Sequence, residues 1–419
     1  MHQGKDNMGS SWQDHGLSDP VEAFREAFDG LPPTHFSRAP GRVNLIGEHT
    51  DYNGLPVLPM ALRQEVRILF RPREDGTVRM ANRNPEFPIR SFSLSEDIPP
   101  DPAGDWGNYL KAPCQALSGL LGPLRGLDGL VTSTLPVASG LSSSSALVIA
   151  VARALLHANE TQVPTLDLAE EMARAERYTG TQGGGMDQAI ALGARAGHAS
   201  RVEFDPLRLY ETPVPPDWRF VVAHTLVRAE KSGRAREAYN QRSQECQEAI
   251  RRIRMALSES EVAGTEALTY PVLTARFSIK DLLELGRTHL SGPLLGRFRH
   301  VVTETLRVYR SEEAMRQEDL LAFGILMDAS HESLRADYEV SSPELDRLVA
   351  LAREGGAAGA RLTGAGFGGC VVALTDPFRL DRLMRTLEQG YYRSPRHPHR
   401  LRDVLFVAQP SGGASVEEV

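Results

Sequence analysis

The sequence predicts an α+β protein in two halves, and three observations carry that prediction. Its 419 residues suffice for two or three domains at roughly 100–200 residues each. Between His35 and about Arg90, short alternating runs such as QEVRILF (64–70) and TVRMAN (77–82) are broken by Pro, Gly and Asn, and read as antiparallel strands. Long segments of helical period fill the later chain, and the pattern loosens at VPPDW (214–218), a hinge between the halves. The expected division is a flexible N-terminus over 1–17, a first lobe over 18–210 and a second over 211–419.

In chain order, Asp19 can cap a helix whose first turn takes Pro20 and whose apolar positions are Val21, Phe24 and Phe28. After the strands, 106–121 reads as a helix that tolerates Pro113, 129–134 as a strand and 141–158 as a helix with an Ala/Val/Leu/Ile face. Helices over 166–178 and 186–192 precede a strand over 198–204. Beyond the hinge come a strand at 219–225 and helical segments near 230–256, 280–288, 295–310 and 317–335. The last hundred residues alternate helices near 343–353 and 376–391 with the strands ARLTG, CVVALTD and DVLFVAQP.

Composition narrows the function classes. Apolar residues at 41% and charged residues at 24% give a globular balance and exclude a disordered or fibrous chain. The charge is 47 basic minus 54 acidic, or −7, the wrong sign for a dedicated nucleic-acid or membrane-surface binder. Cys114, Cys246 and Cys370 are odd in number and widely spaced, so neither a disulfide framework nor a zinc site is expected, and unpaired thiols point to a reducing, cytoplasmic setting. The polar start MHQGKDNMGSSWQDHG lacks the apolar centre of a secretory signal. Nothing marks an interface strip, which leaves a monomer as the default.

Four glycine-containing segments carry chemistry. RAPGRVNLIGEHTDYNG (38–54) packs Arg42, Glu48, His49 and Asp51 between two glycines. Carboxylates accept from hydroxyls and His can donate or accept, so such a loop suits a small polyol or sugar; a solvated turn is the competing reading. LPVASGLSSSSALV (135–148) sets Gly140 and four serines before a helix. Free amides and the helix dipole make that end an anion site. The Walker lysine is missing, and capping alone would need only one serine. LTGAGFGGCVVAL (362–374) spells GxGxxG but runs into a β-branched strand, where a dinucleotide fold requires a helix. It serves either as a ligand-loop support or as a hairpin. GTQGGGMDQAIAL (180–192) places Asp187 in the first turn of a helix, where a capping role is the ordinary one.

Together these segments closely resemble the galactokinase branch of the GHMP small-molecule kinases. GRVNLIGEHTDYNG resembles the sugar signature, LPVASGLSSSSAL the phosphate-binding motif and LTGAGFGGC the third motif. GGMDQ, AYNQRSQECQEA (238–249) and DYEVSSPELDRLV (337–349) also match, in the family's order. The resemblance implies a two-lobed fold with the site in the cleft, and phosphoryl transfer from ATP, with Mg²⁺, to the anomeric hydroxyl of a sugar. It implies Arg42 and Asp187 as the catalytic pair. Glu48, His49, Asp51, Gly184 and Tyr239 would be sugar ligands, and Ser139, Gly140, Leu141, Ser142, Ser143, Ser144 and Ser145 the phosphate loop. Trp106 and Tyr109 would lie beside adenine, and Ser142 and Glu176 would hold the metal. SGLSSSSAL and the GGGMDQ glycines resemble N-acetylgalactosamine kinases more than ordinary galactokinases, whereas Tyr239 favours galactose, which is placed first. A non-catalytic sugar and ATP sensor is the remaining alternative, opposed by the uninterrupted serines and the presence of both Arg42 and Asp187.

Overall fold

The computed structural model describes residues 19–136, 140–180, 183–227, 234–257, 268–393 and 400–419; the expected flexible stretch over 1–17 lies outside them. In α1 (Pro20–Ala27) the Asp19 carboxylate accepts from the Val21 amide at 3.0 Å. It packs Phe24 and Phe28 onto the back of a sheet. That sheet is built from β1 (His35–Ile46), β2 (Leu58–Pro72), β3 (Thr77–Asn82), β4 (Arg90–Ser93) and β5 (Leu127–Ser133). On its other face lie α3 (Ser143–Ala158) and α5 (Met186–Gly193), with α2 (Gly107–Leu121) and α4 (Thr165–Glu176) packed against them. The face of α3 is apolar nearly all round, and it is correspondingly sunk against β1 and β2. A hairpin of β6 (His198–Glu203) and β7 (Arg208–Pro213) follows.

The later chain contains β8 (Arg219–His224), α6 (Arg234–Ala256), α7 (Tyr270–Arg276), α8 (Ile279–His289), α9 (Gly292–Arg316), α10 (Leu320–Ala336) and α11 (Pro343–Glu354). It then runs through β9 (Gly359–Thr363), β10 (Cys370–Thr375), α12 (Pro377–Leu387), α13 (Leu401–Val404), β11 (Leu405–Ala408) and β12 (Ser415–Glu418). A four-stranded antiparallel sheet, ordered β11-β8-β10-β9, is flanked by these helices around a second apolar core.

Two features go beyond the sequence reading. Within the stretch that reads as antiparallel, β1 pairs with β2 and β3 with β4 antiparallel, but β3 also pairs parallel to β5, which lies beyond it. The N-terminal half of the chain supplies only five strands of the first sheet; the sixth is β12, paired antiparallel with β1. The chain's last residues thus cross the expected division near residue 210. β1 is bulged between Pro40 and Arg42 and again between Asn44 and Ile46, and such bulges re-aim side chains next to sites.

Candidate functional site

Four segments from separate parts of the chain meet at one cleft. β1 supplies Arg42 and runs into the 47–57 loop; α3 brings its serine-bearing start, α5 its first turn, and the β9–β10 hairpin its glycine turn. Arg42 is 5% exposed. Its Nε donates to Asp187 Oδ1 at 2.8 Å and its Nη1 to the Gly140 carbonyl at 2.5 Å, so one guanidinium joins the carboxylate to the serine loop. Burial works against the Arg42 charge, but the field of Asp187, with Glu48 and Asp51 behind it, outweighs that and raises its pKa. Asp187 is therefore held in a buried ion pair with Arg42, beyond what a helix cap needs.

Ser142 begins α3 in a left-handed conformation, φ 61°, and the first amides of the helix have no acceptor within it. Ser143 and Ser144 are the first helical positions and stay partly exposed. Ser145 is buried and donates to Glu176 Oε2 at 2.8 Å, with Asp187 Oδ2 at 3.4 Å. The Leu141 carbonyl accepts from the Arg42 amide. Ser139 lies outside the described residues. Two hard oxygens here are buried without a hydrogen-bond partner, Ser142 Oγ and Glu176 Oε1. Among the described residues no cluster of three His, Cys, Asp or Glu side chains is placed to hold a metal alone.

The cleft is lined by Arg42, Glu48, His49, Asp51, Gly184 and Tyr239 among others, together with Gly364 and Ala365 of the glycine turn. Asp51 Oδ2 accepts from the Gly184 amide at 3.1 Å. A Cβ on Gly184 would sit 2.3 Å from the Asp51 carbonyl carbon, which explains the glycine by close backbone approach. The 364–369 turn is both a hairpin and a support: a Cβ on Gly364 would come 2.7 Å from the Gly140 carbonyl oxygen. Trp106 and Tyr109 do not line this cleft. Trp106 is buried at the start of α2, donates to the Pro88 carbonyl at 2.9 Å and packs on Phe87, ring centroids 5.9 Å apart. Phe87 lines a separate recess of about 1050 Å³ that runs past Thr134 to Leu135, just before the serine loop.

Comparison with known proteins agrees with this geometry. The family model described as the galactokinase galactose-binding signature matches residues 22–72, and the N-terminal and C-terminal GHMP kinase domain models match 108–194 and 311–393. Galactokinases of Chloroflexus aggregans and Chloroflexus aurantiacus are 39% and 40% identical, each covering 90% of this chain and 92% of the relative. The chain belongs to the galactokinase family. A solved structure of Lactococcus lactis galactokinase complexed with galactose superposes with a TM-score of 0.84 at 31% identity, covering 94% of this chain and 98% of that one. The mevalonate kinase of Methanococcus jannaschii, at 18% identity and a TM-score of 0.59, shares the fold.

Around this galactokinase-family cleft, Glu48 is set among buried groups that escaped the sequence reading: Arg361, His300 and Glu304. Glu48 is 2% exposed. Its carboxylate accepts from Asn44 Nδ2 at 2.7 Å and from the Gly364 amide, and lies 3.7 Å from Arg361. Burial raises its pKa, against the pull of Arg361 and Arg42. Arg361, wholly buried, donates to the Asn44 carbonyl at 2.9 Å. From α9, His300 Nε2 lies 3.0 Å from the Glu48 carbonyl and Glu304 accepts from the Gly47 amide at 2.9 Å. A buried Arg in a strand pattern, or a His and Glu on a helix, gives no sequence signal of this kind. Among the described residues no helix is long and apolar enough to cross a membrane.

Proposed function

We infer that this chain is a galactokinase, transferring the γ-phosphoryl group of ATP to the anomeric hydroxyl of galactose. The observation that carries the reading is the Arg42–Asp187 ion pair at 2.8 Å, set on the cleft wall against the start of α3. Phosphoryl transfer asks a protein mainly to position partners and to stabilise spread negative charge. Asp187 accepts the hydrogen of the C1 hydroxyl and orients its oxygen towards phosphorus. Arg42 keeps Asp187 ionised and offsets charge on the transferring group. The amides of Gly140 to Ser145 receive the phosphates.

Asp51, Glu48, His49, Tyr239 and the Gly184 backbone are the proposed sugar contacts, supported by their shared lining of the cleft. The orphaned oxygens of Ser142 and Glu176 fit a Mg²⁺ whose remaining ligands are phosphate and water. When bound it would neutralise charge shared between the β- and γ-phosphates. Trp106 and Tyr109 are proposed to border adenine indirectly, Trp106 through Phe87. Three buried, unpaired cysteines support a reducing, cytoplasmic setting, and a monomer is proposed.

Galactose is placed ahead of N-acetylgalactosamine because Tyr239 packs into the cleft, its ring 5.6 Å from His49 and 5.5 Å from Tyr52. A bulkier C2 group would have to displace it, and overfilling a packed site commonly costs about 1–3 kcal/mol. The test is coupled ADP release with galactose, N-acetylgalactosamine, glucose, arabinose and fucose. We expect kcat/KM for galactose to exceed that for N-acetylgalactosamine at least about tenfold. The reverse order would reassign the substrate, and no turnover with any sugar would leave a sensor.

A further inference from the structure

Three of the matching segments carry side chains that the phosphoryl-transfer reading does not use: Tyr52, Cys246 and Tyr338. The fold collects them in a row behind His49. His49 Nδ1 lies 2.9 Å from the Tyr52 hydroxyl, that hydroxyl lies 2.6 Å from the Tyr338 hydroxyl, and Tyr338 lies 3.1 Å from Cys246 Sγ. Tyr338 and Cys246 have no exposed surface, and His49 is 5% exposed. The Tyr338 ring is held between two imidazoles, 4.7 Å from His49 and 4.6 Å from His300. At its other end, His49 Nε2 is buried without a hydrogen-bond partner, on a residue that lines the sugar cleft.

We propose that the row Cys246–Tyr338–Tyr52 fixes the tautomer of His49, so that Nε2 carries the proton and presents a hydrogen-bond donor to a sugar oxygen. The proposal rests on the sugar-kinase reading only for the identity of that acceptor. Tyr52 and Tyr338 are then positioning residues for substrate recognition.

Hydrogen counting sets the direction of the row. Every group in the row is neutral near pH 7: burial pushes both phenols well above their ordinary range, pushes the Cys246 thiol up to about 11 and, with His300 close by, pushes His49 well below its usual value. Each hydroxyl has one hydrogen to give, so the row must run in one direction and end on an atom that only accepts. The two possible ends are an imidazole nitrogen and a thiol sulfur. Sulfur is a weak acceptor and a bare imidazole nitrogen a strong one, so the donors point towards Nδ1. An Nδ1 that accepts carries no hydrogen, which leaves the proton of the neutral ring on Nε2.

The consequence is a division of labour among the sugar contacts. His49 offers a donor where Asp51 and Glu48 offer acceptors. A sugar hydroxyl that accepts from Nε2 keeps its own hydrogen for one of the carboxylates.

The test is a long-range ¹⁵N–¹H correlation spectrum of the full-length protein labelled at histidine, with His49→Gln to assign the ring. The wild type should show His49 protonated at Nε2 without any substrate present. Tyr52→Phe, which keeps the ring and removes the hydroxyl, should shift His49 towards the other tautomer or a mixture. It should also raise the galactose KM about two- to tenfold, the scale of one hydrogen bond, with kcat and the ATP KM changing less. Cys246→Ala, which removes the competing acceptor at the far end of the row, should leave His49 protonated at Nε2. A wild-type ring protonated at Nδ1 would overturn the proposal. So would a Tyr52→Phe protein whose tautomer and galactose KM are both unchanged. Should galactose not be turned over at all, the proposed substrate would fail while the spectrum still decided the tautomer.

Discussion

Asp51 receives the Gly184 amide at 3.1 Å, and burial, together with the nearby charge of Asp187, pushes its pKa up to about 6. The folded state thus holds this proton more tightly than the unfolded chain, whose carboxyl titrates near 3.8. The stability this lends is full below that value and is lost as the pH rises through about 6. Urea midpoints of wild type relative to Asp51→Asn should therefore fall between about pH 4 and pH 7. Sugar binding needs the ionised form as acceptor, so kcat/KM for galactose should decline on the acid side with an apparent pKa near 6. A flat profile between about pH 5 and pH 7.5 would contradict this assignment. Asp51→Ala should raise the galactose KM about 5- to 150-fold, from roughly 1–3 kcal/mol of unpaired hydrogen bonding, and spare the ATP KM. Residues of this kind were legible because Arg42, Glu48, His49 and Asp51 lie within ten positions. Arg361, His300 and Glu304 were not, since they act on that loop from sequence-distant elements.

At the scale of elements, the sites depend on turns that hold backbones close together. Gly184 precedes α5 and touches the Asp51–Tyr52 backbone. Gly184→Ala would press a methyl group 2.3–2.4 Å from the Asp51 carbonyl carbon and the Tyr52 nitrogen, an overpacking cost of about 1–3 kcal/mol. We expect a lower Tm in thermal unfolding and a raised galactose KM with the ATP KM nearly unchanged. Unaltered values for both would show that this approach is not needed for the sugar loop. Elements with a strong period or cap were readable: α1 from Asp19 and Pro20, α3 from its apolar face, β10 from its Val-rich run. Those missed are short or paired at long range. β4 and β12 have four residues each, α7 only seven, and β7 carries Glu211 and Pro213 at its exposed end. The parallel pairing of β3 with β5 was hidden for another reason, because partner choice in a sheet is set by the whole topology and leaves no mark in either strand.

For the whole molecule, the return of the C-terminus matters most to the site. β12 pairs with β1, which bears Arg42, while the Gly413 and Ala414 amides donate to the Ala194 and Ala191 carbonyls at 2.8 Å, at the end of the α5 helix that bears Asp187. One strap therefore ties together the two elements that carry the ion pair. Removing residues 411–419 should lower the Tm by at least about 2 °C, the effect of roughly 1 kcal/mol in a large domain, and should lower kcat as well. A truncated chain with full stability and turnover would refute that link. The claim on which everything else depends is that Asp187, ionised beside Arg42, orients the sugar hydroxyl. Its most direct test is steady-state ADP release by Asp187→Asn with galactose and ATP both saturating, its fold checked by circular dichroism. The shape of the cleft is kept and only the charge is lost, so kcat should fall about 100- to 10 000-fold with a modest change in galactose KM; turnover close to wild type would return Asp187 to a helix cap and leave the cleft without its catalytic group.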